Sequence, residues 1–165
     1  MDDWKKTSWT LAELDIDPDT YGAIERLKVD SIMATEEARK GRTEEEVAAR
    51  VRQGLPAELF LVKRAGFRAI PADDTDLSKR YHDLLDDLDR YVEVKAYVRA
   101  SMMRVNMAID RIVNPKSGKI WNRSARIIVF DFDPASGRYT FFFDGIIKQN
   151  KDIKYRKYVD PTLSL

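Results

Sequence analysis

The chain has 165 residues, no cysteine, and nearly balanced charge, with 29 Lys+Arg against 28 Asp+Glu. That length suits one domain with a proper core, and the missing cysteines exclude disulfides, thiolate zinc sites and cysteine nucleophiles. No apolar run approaches membrane-spanning length, and the acidic, polar start MDDWKKTSW is unlike a signal peptide, so a cytoplasmic protein with no membrane partner is expected.

The charges are sorted along the chain. Residues 1–92 carry 15 Lys+Arg against 21 Asp+Glu, and residues 93–165 carry 14 against 7. A basic second half points to a polyanion, or to attraction between the two halves on folding.

The first third reads as helices. Thr10 and Glu13 have capping-box spacing. Asp17–Pro18 opens a helix in which Tyr21, Ile24, Leu27, Lys28, Ser31 and Ile32 recur at helical spacing, with Gly41 as its stop. Thr43 and Glu46 form a second capping box, and that helix is expected to stop at Gly54. Pro56 then fits the first turn of a short helix, PAELFLVKRAG, ended by Gly66. FRAI reads as a strand, PADDTDLSKR as a polar loop, YHDLL as a strand, DDLD as a turn solvated by Asp86, Asp87 and Asp89, and RYVEVKAYV as a third strand. RASMMRVNMAIDRIV returns to helical spacing, with Met103, Met107 and residues 109–112 expected in the core. NPKSGKIWNRS is a basic loop, ARIIVFDF and RYTFFFDGI are strands around DPASG, and the tail is basic and aromatic. The order predicts an α/β (α+β) domain with a mixed central sheet flanked by helices. Residues 1–53 are a helical N-terminal extension packed on the core, 54–147 the core, and 148–165 a basic tail, in a single domain overall.

Strand alternation puts Tyr91, Glu93, Lys95 and Tyr97 on one face and Val92, Val94, Ala96 and Val98 on the other, which is a core face. A short acidic turn joins the two preceding runs, so they pair antiparallel and Asp83 can lie across from Glu93. Two carboxylates meeting there repel, and a divalent cation would compensate directly. A plain solvated hairpin at 81–95 is the other reading.

Asp83 followed by Glu93–Val94–Lys95 resembles the motif of the PD-(D/E)XK, or restriction-endonuclease-like, nuclease superfamily. The resemblance spans roughly Gly54 to Phe132 and departs from the pattern where His82, not proline, precedes Asp83. It implies a restriction-endonuclease-like fold and Mg2+-dependent hydrolysis of DNA phosphodiesters, with Mn2+ able to substitute, as in restriction, junction-resolving or phage-type endonucleases. It also implies catalytic roles for Asp83, Glu93 and Lys95, with Glu58 as an accessory acid from the upstream helix. The metal would be held by Asp83, Glu93 and the carbonyl of Val94, and the product would carry a 5′-phosphate.

Two basic, aromatic-bearing segments suit phosphate contact and stacking. One carries Lys116, Lys119, Arg123 and Arg126 around Trp121, and the tail carries Lys148, Lys151, Lys154, Arg156 and Lys157. Arg99 and Arg104, after the third strand, are further DNA-binding candidates. Cutting both strands of a duplex suits a homodimer, and Tyr21, Ile24, Leu27 and Ile32 are expected to cover the sheet or form the dimer contact. The rival class is a non-catalytic nucleic-acid-binding or assembly protein.

Overall fold

The computed structural model describes residues 3–70, 83–112, 124–147 and 158–159. Its strands are β1 (Ser8–Thr10), β2 (Arg68–Ala69), β3 (Leu84–Leu85), β4 (Tyr91–Tyr97), β5 (Arg126–Asp133), β6 (Arg138–Ile147) and β7 (Tyr158–Val159). Its α-helices are α1 (Pro18–Met33), α2 (Glu36–Arg39), α3 (Glu44–Ala65) and α4 (Met102–Ile112). The strands form one mixed sheet in the order β1-β6-β5-β4-β3-β2, with β7 also on β6. β4 and β5 are parallel, joined through α4, and the other pairs are antiparallel. No helix among the described residues is long and apolar enough to cross a membrane.

Alternation in the central strands divides the core in two. Val92, Val94, Ile128 and Phe130 face α3 and meet its Ala57, Phe60 and Leu61, together with Trp4, Trp9 and Leu14 from the N-terminus. Ile127 and Val129 face the opposite way and meet Val105, Ala108, Ile109 and Ile112 of α4. Trp9 stacks between Phe60 and Tyr139, with ring centroids 4.3 and 4.5 Å away. That packing explains β1, a three-residue strand with no pattern of its own, which pairs with β6.

The helices differ from expectation in instructive ways. α3 does not stop at Gly54 but runs for 22 residues through Gly54 and Pro56, across the expected boundary at 53/54. Val47, Val51 and Leu55 pack on α1, and the next turns pack on the sheet, so one buried face continues through the break signal. Pro56 has no N–H and disturbs the turn before it; the Gln53 carbonyl in that turn accepts from the Tyr139 hydroxyl at 2.6 Å. α1 ends at Met33 rather than near Gly41, because Thr35 caps a new turn through the Ala38 N–H. Tyr21, Ile24 and Ile32 cover α3, not the sheet, and Leu27 is exposed. On α4 the core stripe is Val105, Ala108, Ile109 and Ile112, which turns Met103 and Met107 to solvent. The Thr10–Glu13 capping box forms, on a 3-10 turn at Ala12–Leu14.

Candidate active site

β3 is short, and where it leaves β4 the freed edge is closed by side chains. The Val92 carbonyl still accepts from the Asp83 N–H at 3.1 Å. At the next outward-facing position the Val94 N–H donates to Asp83 Oδ2 at 2.8 Å. One step further the Gln53 side-chain amide donates to the Ala96 carbonyl at 2.7 Å. A strand residue aims its N–H and C=O to the same side, so the Val94 carbonyl faces this edge, between Asp83 and Gln53.

β3 and β4 pair as Leu84 with Val92 and Leu85 with Tyr91. Continuing that register by one residue sets Asp83 opposite Glu93. Glu93 is buried, although alternation puts it on the face away from Val92 and Val94. Lys95 Nζ lies 2.8 Å from Glu93 Oε1, while Glu93 Oε2 is buried without a hydrogen-bond partner. Glu58, on α3, is also buried and reaches toward Asp83. It pairs with Lys28 of α1.

The electrostatics follow from this crowding. Burial, then the neighbouring Asp83 charge, pushes Glu58 up to about 8 against the pull of Lys28. Burial pushes Glu93 up to about 7, with Lys95 opposing and Asp83 adding to the rise. Glu93 in turn raises Lys95 above its ordinary value, outweighing burial. Burial alone would lower Lys28, but Glu58, Asp83 and Glu93 together raise it. Five charged side chains from α1, α3, the start of β3, and β4 therefore share one electrostatic site.

All of the expected site acids and Lys95 thus come together. The sequence alone does not single out Lys28 as a site residue; its signal is a lysine inside the apolar stripe of α1. Arg99 and Arg104 are exposed, and Arg104 lies 5.4 Å from the Tyr97 ring centre. Lys116, Lys119, Arg123, Lys148, Lys151, Lys154, Arg156, Lys157 and His82 lie outside the described residues.

Two expectations are corrected. Asp86 does not solvate its turn. It is fully buried, accepts from the Leu88 and Arg90 N–H groups, and pairs with the Arg90 and Arg126 side chains. Arg126 is not part of a solvated basic loop; it is buried between Asp86 and Asp144, at 3.1 and 2.6 Å.

The donor chemistry fits a hard divalent cation: carboxylates, a carbonyl edge, and one buried carboxylate oxygen with nothing to bind. Among the described residues, no three acidic or histidine side chains form a ready-made metal-binding group. Glu58 and Glu93 instead each face an ammonium. No protein-family model, curated protein or solved structure matches the chain.

Proposed function

We propose that this chain is a metal-dependent endodeoxyribonuclease with a restriction-endonuclease-like core. The observation that supports it most is the meeting of Asp83, Glu93 and Lys95 where β4 extends past β3, with Glu58 arriving from the upstream helix. The order α3, antiparallel β2–β3–β4, α4 and parallel β5 agrees with the core that the motif implies.

Asp83, Glu93 and the Val94 carbonyl would hold Mg2+ or Mn2+. When bound, such an ion polarises the phosphate and lowers the pKa of a water. Asp83 is fixed by the Val94 N–H, so it is oriented before any ligand arrives. Glu93 anchors Lys95 through one oxygen and keeps the other free. Lys95, raised by Glu93, stays an ammonium at neutral pH. It therefore serves as a positive donor to a phosphate oxygen or the attacking water, stabilising charge that develops in the transition state. Glu58, pushed up to about 8, carries a proton near neutrality and so lessens the repulsion between the carboxylates and an incoming phosphate. A homodimer, which would let one complex cut both strands, is part of the proposal.

The second reading is a non-catalytic nucleic-acid-binding or assembly protein, in which these are structural ion pairs. It is favoured by the closed Lys28–Glu58 contact. Incubation with supercoiled, linear, single-stranded and branched DNA separates the two. Cleavage in Mg2+ or Mn2+ that EDTA abolishes is expected. A protein that cuts none of these substrates with either metal belongs to the second reading.

A further inference from the structure

Most described lysines and arginines meet a carboxylate or a carbonyl, including Lys28, Arg52, Lys63, Arg64, Lys95, Arg126 and Arg138. The exceptions among the described residues are Lys40, Arg42, Arg50, Arg99, Arg104 and Arg111, all lacking an acidic partner there. They gather around one feature, the C-terminal end of β4.

Glu93, Lys95 and Tyr97 share a face of that strand. Arg104, in the first turn of α4, lies over the Tyr97 ring, and Arg111 follows two turns later on the same stripe. Arg99 occupies the β4–α4 turn with φ 57°. From the other side, the Gln53–Ala96 hydrogen bond pins α3 to the end of β4. Arg50, one turn earlier on the same stripe of α3, is thereby brought beside it. Lys40 and Arg42 lie in the turn that leads into α3. Partial burial and the charges of Arg42 and Arg111 lower both Lys40 and Arg50, and the Lys95 charge also bears on Lys40. Glu46, one turn before Arg50, is folded back onto Thr43 in its capping box.

Like charges gathered from separate elements repel one another unless an anion joins them. All but Lys40 are arginines, whose planar fork matches phosphate oxygens. Their spread over the turn into α3, α3 itself, the β4–α4 turn and α4 suits a repeating polyanion better than a single small anion. We infer that this surface docks the phosphate backbone of duplex DNA and lays it across Lys95, with the N-terminal helical region supplying one side of the contact. The identity of the polyanion rests on the nuclease reading. The surface also gives the N-terminal helices a role that a minimal nuclease core does not require.

The test uses the full chain with Lys40→Gln, Arg42→Gln, Arg50→Gln and Arg111→Gln combined. Binding of a short fluorescent DNA duplex is followed by anisotropy in EDTA across a NaCl series. The slope of log affinity against log salt should shrink by about 3 to 4, at about 0.9 for each phosphate no longer neutralised. Each single variant should shrink it by about one, which guards against a combined variant that folds poorly. A control with Arg26→Gln and Arg52→Gln, which remove cations that have acidic partners, should keep the parent slope. Parent-like affinity and slope in the combined variant overturn the inference, as does a parent that binds no duplex and takes an acidic peptide instead. A parent that binds through this surface but cuts nothing removes the nuclease reading and leaves the docking surface standing. A parent that cuts DNA while the combined variant binds unchanged does the reverse.

Discussion

Glu93 commits one oxygen to Lys95 and buries the other alone, so its charge is costly to keep in the folded chain. Glu58 is buried between Lys28 and Asp83, and its charge is costly for the same reason of burial. Both acids sit above their ordinary 4.5, at about 7 and about 8. Between about pH 4.5 and 8 the folded chain therefore holds protons that the unfolded chain has lost, and stability falls as pH rises through that window. The fall should amount to a few kcal/mol for the coupled pair. Glu58→Gln and Glu93→Gln should each flatten it, as measured by urea unfolding at a series of pH values. A parent whose stability climbs across the same window would contradict the burial of these carboxylates.

The β3–β4 turn is tied down by an ionic hub. Arg126 on β5 joins Asp86 in the turn to Asp144 on β6, and Lys5, in a 3-10 turn at Asp3–Lys6, also pairs with Asp144. Arg126→Leu leaves buried Asp144 with Lys5 and buried Asp86 with Arg90 and two N–H donors, and should cost roughly 1–3 kcal/mol, less than an unpaired buried charge; chemical denaturation of the variant measures it, and a cost near zero would mean that water replaces the arginine. The antiparallel β3–β4 pair and the capped start of α3 at Thr43 are legible in the sequence because period-two alternation and capping boxes are local signals. The hub is not. Asp86 reads as one more aspartate in an acidic turn, and Arg126 as one more cation after a basic loop, until β5 and β6 bring Asp144 beside them. α3 departs from expectation for a related reason. Gly54 and Pro56 are true local break signals, overruled by packing on α1 and the sheet. The site acids declare themselves through a spacing motif, whereas Lys28 needs the tertiary contact of α1 with α3 to do so.

Across the described residues, carboxylates meet along the edge of β4 beyond β3, and cations without an acidic partner surround its end. A divalent cation that completes the edge should stabilise the fold by mass action, by about 2.7 kcal/mol at a hundred times its Kd, and more at higher pH as protons are displaced. Thermal unfolding with and without Mn2+ should show this shift in the parent and lose it in Glu93→Gln; equal shifts in both would place the ion elsewhere. The most direct test of the nuclease proposal is single-turnover cleavage of duplex DNA in Mg2+ by the parent and by Lys95→Ala, with affinity measured separately in EDTA. Lys95→Ala removes an ammonium that pairs with Glu93 and whose main proposed work is to stabilise charge in the transition state. Unchanged or slightly weaker DNA binding is expected, with a rate roughly two to three orders of magnitude lower. Cleavage by Lys95→Ala at the parent rate would contradict the proposal.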